Sequence, residues 1–490
     1  MVKRIPNLLH GPGFELCRRI ALFHLLLAAL GLHAQTGAGA QQQPNVLLIF
    51  ADDLNCRLGT YGDAAAMTPH IDALASAGMR FDRAYCANPV CLPSRTAILT
   101  GLRPETTQVL NNNAGCFRKY VPDAVTLPQL FARGGYQVAS VGKTFYSHRS
   151  DDTETDKIME RLPTDGARWP GANALLIGAE EKDALKTKLG QRQTFWGPLD
   201  VDDAALPDGQ SARAAAKFLK EGRSKPFFLA VGIFRPHLPF IAPKKYFDLH
   251  PLGKIILPAA AAGDSAGAEA VDLGLPHAVR RMERERGMMR LAMEDETRRQ
   301  MIQAYYACVS FADAQVGVVL AALEEAGLKH RTIIVFVSDH GFLLGEHGAY
   351  AKSSLYEQSV RAPLIVSAPG VTQPGRPCAR LVEFVDLYPS LAELCGLKAP
   401  EGLEGTSFVP LLKNPQRPWK KAVFSVDMVG ERMVRTEKWK LITLPGGGGM
   451  LFDLERDAEE NQNLHESPSH QKPLAEMRAL HSNGWRKAAP

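Results

Sequence analysis

Five consecutive residues, Cys91-Leu92-Pro93-Ser94-Arg95, bring a thiol, a proline, a hydroxyl and a guanidinium together. Proline suits the first turn of a helix, where its missing N–H costs nothing. Ser94 or Thr96 can satisfy the orphan donors of that turn. Cys91 then stands at a helix N-terminus, near donor N–H groups and the positive end of the dipole, with Arg95 one turn further on. That arrangement suits a nucleophile that must receive an anion. For these five residues alone, the plain alternative is a buried structural cysteine beside a surface arginine.

Five more chemistry-bearing sites each follow a short apolar run or a glycine-rich turn. Asp52-Asp53 end Asn45–Ala51, and Asp339-His340 end the Thr332–Val337 run. Lys143 follows Tyr136–Val141, and His237 lies among prolines after Pro226–Ile233; Lys352 comes after Gly345-Glu346-His347-Gly348. Continuous apolar runs of this kind predict central strands covered on both faces. In an open α/β sheet, ligands bind beyond the carboxyl ends of such strands. Paired acids there repel one another unless a cation joins them. Carboxylate oxygens suit calcium, or less readily magnesium. Zinc is compatible with the ligand types, although the sequence has no close CxxC pair. Lys143, His237 and Lys352 add positive or proton-donating groups. Taken one by one, a solvated turn, a surface lysine and a packed loop histidine are ordinary alternatives.

The elements that would position these groups predict an α/β fold: a large, mostly parallel central sheet flanked by helices. Helices are expected over His70–Ala77, Val125–Arg133, Gln210–Glu221, Arg299–Ala326 and Leu381–Leu394. Arg280–Arg290 reads as a solvated helix or loop face, and Asp151–Pro207 as a substrate-side excursion. Composition shifts after Pro410, where four short strands and a terminal helix, Lys472–Trp485, predict a smaller C-terminal α+β subdomain with an antiparallel sheet. The expected organisation is a leader over residues 1–40, a catalytic domain over 44–410 and a subdomain over 411–490.

The leader carries Lys3, Arg4, Arg18 and Arg19 before the apolar run Ile20–Leu32, with small residues after it. This is a secretory signal pattern, and the run is too short to span a membrane comfortably. Secretion or a periplasmic location is therefore expected, with no stable membrane span. Losing those four basic groups and Glu15 lowers the formal net charge from +5 to about +2. Overall basicity thus gives no support for nucleic-acid binding. Of eight cysteines, Cys17 lies in the leader, and the remaining seven leave at least one thiol free or modified. Cys91 is the choice, and Cys378 and Cys395 are a possible disulfide.

The motifs resemble the type I sulfatases of the alkaline phosphatase superfamily, and most closely the iduronate-2-sulfatase branch with its bacterial relatives. The stretches that carry the resemblance are NVLLIFADDLNCRLGTYG, CANPVCLPSRTAILTG, RPETT, SVGKTF, PFFLAVGIFRPHLPF and SDHGFLLGEHGAYAKSS. The resemblance implies that Cys91 is oxidised to formylglycine (3-oxoalanine) by a formylglycine-generating or anaerobic sulfatase-maturating enzyme. It implies that Asp52, Asp53, Asp339 and His340, with residue 91, hold Ca2+. Arg95 would steady the formylglycine hydrate, and Lys143 and Lys352 would contact sulfate. His237 would act as general acid, with Asp53 a plausible base. In this scheme one hydroxyl of the hydrate attacks sulfur and loss of the second hydroxyl's proton expels sulfate and re-forms the aldehyde, so water enters only when the aldehyde is rehydrated.

One position departs from that branch: Tyr146 stands where a histidine is expected three residues after Lys143. A tyrosine donates a hydrogen bond but is a poor acid near neutrality. The substrate expected is a sulfated carbohydrate, a uronic acid or related glycan unit attacked from its end. Arg57 and Arg118 are candidate carboxylate ligands for an acidic sugar, with plain surface arginine the better reading. Two other functions fit: a phosphonate or phosphate monoester hydrolase of the same superfamily, and an inactive protein that binds sulfated glycans.

Overall fold

A computed structural model describes residue 1 and residues 43–145, 160–162, 196–258, 279–285 and 288–490, with the backbone alone for 279–285 and 288–292. The leader, Tyr146, and most of the Asp151–Pro207 stretch lie outside the described residues. Pro44–Pro490 form one compact unit.

The strand Asn45–Asp52 is buried at all eight positions. It pairs in parallel with Thr332–Ser338 on one side and Phe227–Pro236 on the other. Its apolar side chains alternate between two cores. Leu47, Ile49 and Ala51 face the helices Pro207–Lys220 and Asp295–Glu325, whereas Val46, Leu48 and Phe50 face Cys91–Thr100, Leu127–Arg133 and Leu387–Leu394. A strand covered on both faces has no polar side to show, which explains the unbroken apolar run. Burial accounts equally for the apolar character of the 31-residue helix Asp295–Glu325, which has the length and composition of a membrane span but lies mostly inside this core.

Among the described residues the sheet has eight strands. Their spatial order is Cys378–Glu383, Met79–Tyr85, Leu364–Ser367, Thr332–Ser338, Asn45–Asp52, Phe227–Pro236, Gln137–Gly142 and Glu160–Arg161. Only Leu364–Ser367 runs against the others. The α/β class and mostly parallel sheet expected from the sequence are therefore present. So is the C-terminal antiparallel sheet, Val423–Val426, Arg432–Arg435, Trp439–Thr443 and Gly449–Asp453, followed by the helix Gln471–Ala488.

Three expectations need correction. Residues Cys378–Glu383 are an edge strand paired in parallel with Met79–Tyr85, and the helix begins only at Leu387. Sheet pairing overrides a pattern that is ambiguous over so short an apolar stretch. Arg280–Arg290 is not a helix or loop face but falls in an antiparallel hairpin, Val279–Glu285 with Met288–Met293. Cys378 and Cys395 are both free and buried, as are Cys86, Cys91 and Cys308; a buried cysteine packs as a small apolar side chain.

The C-terminal segment joins the body through buried charge. Lys420 Nζ lies 2.7 Å from Glu383 Oε2 and from Asp386 Oδ1, and Arg103 meets the other oxygen of Glu383 at 2.7 Å. Removing one partner from such a cluster leaves an uncompensated buried charge. Lys420→Met is therefore expected to cost about 3–5 kcal/mol of stability, measured by denaturant unfolding; a cost below about 1 kcal/mol would contradict this reading of the junction.

Candidate active site

The C-terminal edge of the sheet carries the groups singled out in the sequence. Parallel pairing in register sets Ala51 beside Ser338, and the shift after Phe50 sets Asp52 beside Pro236. Asp52, Asp339 and His340 are thereby delivered to one point, all fully buried. Asp53 is left-handed, at φ 63°. For a residue with a side chain this costs on the order of 1–3 kcal/mol and needs outside support. That support is explicit: its N–H donates to Asp339 Oδ1 at 3.2 Å, and the Tyr305 hydroxyl donates to its carbonyl at 2.8 Å. The turn aims both carboxylates of the pair into the site.

Cys91 opens the helix Cys91–Thr100, whose ten residues are all buried, with Pro93 in its first turn. Its Sγ lies 3.4 Å from Asp52 Oδ1, 4.0 Å from Asp53 Oδ1, 3.4 Å from His340 Nε2 and 3.0 Å from Lys352 Nζ. Burial and then Asp52 push the thiol's pKa up, more than Lys143 and Lys352 pull it down. The folded site therefore disfavours a thiolate, and an unmodified Cys91 is a poor nucleophile here.

Arg95 is fully buried and works as a brace. Its Nε donates to Asp339 Oδ2 at 2.8 Å, its Nη1 to the carbonyls of Lys143 and Thr144, and its Nη2 to the Ala51 carbonyl at 3.4 Å. One guanidinium thus ties together three strand ends. Lys143 donates to Asp52 Oδ2, and Lys352 to Asp53 Oδ1 at 2.5 Å. Burial raises the pKa of Asp52, but Lys143, His237 and Arg95 outweigh it and hold the carboxyl well below the usual range. Asp53 is likewise held down against burial, by His237 and Lys352.

The imidazoles differ in setting. His340 Nδ1 lies 2.8 Å from the Gly341 carbonyl, so it donates there and leaves the Nε2 lone pair facing Asp53, 3.5 Å away. A histidine oriented in this way is set up as a metal ligand. His237 Nδ1 lies 2.6 Å from the Leu238 carbonyl, with Nε2 3.9 Å from Asp53 Oδ2. Burial pushes its pKa down to about 4, against the opposing pull of Asp53.

One ligand atom from each of Asp52, Cys91, Asp339 and His340 falls within a 4.8 Å cluster, and a second cluster joins Asp52, Asp53, Cys91 and His237. Three carboxylates and one imidazole with a free lone pair make a donor set that fits a hard divalent cation.

Two glycines make the Lys143 position possible. A Cβ on Gly142, which has φ 69°, would lie 2.0 Å from the Gly232 carbonyl; a Cβ on Gly232 would lie 2.0 Å from the Lys143 carbonyl. Arg57 and Arg118, by contrast, are committed elsewhere. Arg57 pairs with Glu346 at 2.8 Å and with the Tyr306 hydroxyl at 2.9 Å. Arg118 donates to the Pro122 and Ala124 carbonyls and to Gln129. Sequence reasoning missed the Tyr305 hydroxyl, because its helical spacing marks it only as a core residue.

Comparison with known proteins agrees with this geometry. A family profile described as Sulfatase matches residues 44–397, and one described as N-sulphoglucosamine sulphohydrolase, C-terminal, matches residues 345–483. The chain is 31% identical to a sulfatase of Formosa agariphila, over 94% of this chain and 91% of that protein. It is 35% identical to the iduronate 2-sulfatase of Mus musculus, over 77% of this chain and 74% of that one. A solved phosphonate monoester hydrolase from Silicibacter pomeroyi shares the fold with a TM-score of 0.70 at 22% identity, covering 91% of this chain and 96% of that one. The chain belongs to the sulfatase family and is a sulfuric ester hydrolase.

Two outcomes test the site. Gly232→Ala, which removes no functional group, is expected to lower kcat/KM by about tenfold or more by displacing the Lys143 backbone, because small misplacements at a reacting centre are costly. Unchanged kinetics would refute the close approach. Dialysis against a chelator is expected to lower Tm, and added Ca2+ to restore it, since an ion that binds only the folded state stabilises it by about 2.7 kcal/mol at a hundredfold excess over Kd. A Tm indifferent to chelator and to divalent cations would remove the metal assignment.

Proposed function

We propose that the protein hydrolyses a sulfate ester on a carbohydrate, a sulfated uronic acid or related glycan unit, acting from the chain end. The observation that carries this reading is the meeting of Cys91, Asp52, Asp53, Asp339, His340, Lys143, Lys352 and His237 at one buried point. Such an assembly has no structural purpose that apolar packing would not serve better. The sugar class is supported by the similarity to an iduronate 2-sulfatase and by the Arg235-Pro236-His237 and Asp339-His340 motifs, which resemble that branch.

In this reading residue 91 is oxidised to formylglycine, which supplies a hydrated aldehyde as nucleophile. Asp52, Asp53, Asp339 and His340 would hold Ca2+, which, when bound, neutralises their charge and polarises an anionic oxygen. The chain's own residues do the rest. Arg95 keeps Asp339 and the Lys143 backbone in place. Lys143 and Lys352 present ammonium groups to the sulfate oxygens and stabilise charge as it develops. Asp53, held ionised, takes a proton from the nucleophile. His237 is neutral in the surroundings described, and an incoming sulfate raises its proton affinity; Nε2 then delivers a proton to the departing sugar oxygen. The leader pattern supports export from the cytoplasm.

A phosphonate monoester hydrolase is the second reading, favoured by the shared fold and by lysines that suit either anion. Matched sulfate, phosphate and phosphonate esters, assayed with calcium on protein whose residue 91 is shown by mass spectrometry to be oxidised, separate the two. Sulfate is expected to be turned over fastest, and Cys91→Ala to be inactive on it. Preference for phosphonate would favour the second reading, and full activity of Cys91→Ala would overturn both.

A further inference from the structure

Lys352 lies in a strained segment. Its two neighbours, Ala351 and Ser353, are left-handed at φ 71° and 69°, as is His347 at φ 57°. Left-handed residues with side chains persist only where the surroundings over-determine them. Local bonds supply part of this: the Ser353 N–H donates to the Pro89 carbonyl at 3.1 Å, just ahead of Cys91. The firmest anchor comes five residues after Lys352, at Glu357.

Glu357 is buried, and the groups around it, Arg361 one turn on excepted, come from distant segments. The Tyr85 hydroxyl donates to Oε2 at 3.0 Å. Lys440 Nζ donates to Oε1 at 3.2 Å, Arg435 Nε lies 3.9 Å from Oε1, and Arg361 Nε lies 3.6 Å from Oε2. The Glu357 N–H donates to Glu460 Oε2 at 2.6 Å, while Glu460 Oε1 pairs with Lys440 Nζ at 2.7 Å. The Lys440 side chain has no exposure, so a single ammonium holds two carboxylates at a point closed to water. Lys440, Arg435 and Glu460 all belong to the C-terminal sheet or the turn after it. Stability does not explain the choice, because a buried ion cluster is often matched by apolar packing. What such a cluster adds is a unique position for the chain that carries it.

We propose that Lys440 is a positioning residue for Lys352: through Glu357 and Glu460, the C-terminal sheet sets where the Lys352 ammonium meets Asp53 and residue 91. This rests on the reading of Lys352 as a sulfate-contacting group.

A double-mutant cycle tests both separately, with kcat/KM on an activated aryl sulfate as the readout and Tm recorded for each variant. Lys352→Ala alone tests the reading, and activity equal to the parent's would refute it. Lys440→Met is expected to lower kcat/KM by about tenfold in the parent, and by less than about twofold in the Lys352→Ala background, since residues acting through one another are not additive. Should Lys440→Met not fold, Glu460→Gln takes its place. It keeps an oxygen that can accept from the Glu357 N–H and removes the carboxylate that pairs with Lys440, and the same non-additivity is expected. An equal fold-loss in both backgrounds, or no loss in the parent, would overturn the positioning role. Lost stability alone produces the former result.

Discussion

Three carboxylates are forced into one buried corner, and the rest of the structure answers to that constraint. Asp52, Asp53 and Asp339 are each at most 1% exposed, and their mutual repulsion in such a place is large. Arg95, Lys143 and Lys352 lie against them, one cation to each acid. The lysines that balance the acids are also those suited to bind an anion. A divalent ion among the carboxylates would take over the neutralisation and leave the ammonium groups for the substrate. Charge balance and catalysis are therefore served by the same side chains.

That corner can exist only because the backbone is held from outside. Asp53 is strained and supported by Asp339 and Tyr305, and Lys352 sits between two strained neighbours anchored through Glu357. Lys143 depends on a glycine pair that lets two strands close beyond normal contact. The supports lie in different layers: a core helix, the C-terminal sheet and the central sheet. A reactive arrangement this costly is stable because each deviation is shared among several elements rather than carried by one loop.

The C-terminal sheet is thus more than an appendage. Lys420 and Lys440, both buried, enter the body at two places. One lies under Arg103, beyond the helix that begins with Cys91; the other lies under Glu357, beyond Lys352. Both ends of the site's framework are fastened by lysines from the same segment.

Much of this was legible in the sequence, and the reason differs from one element to the next. The apolar runs before Asp52 and Asp339 point to doubly covered parallel strands, because they are short, rich in β-branched and aromatic residues and end abruptly in polar turns. Acids placed just beyond them must lie at the ligand-binding edge. Leu381–Glu383 read as the start of the following helix because an edge strand six residues long has too few positions to separate two periods. The Arg280–Arg290 hairpin was missed because a charged run carries no apolar alternation.

By itself, the sequence determined the strand ends, the motif around Cys91, the reactive groups and the family. Those are properties of local order, set by neighbours along the chain. Only the tertiary structure decided which acid each cation meets, that Arg57 and Arg118 are committed to structural bonds, and that Tyr305, Glu357 and Lys440 support the site. Apart from the local bonds of Arg118, these depend on residues tens to hundreds of positions apart, and whether a buried charge is paired or free is settled only when the chain has closed around it.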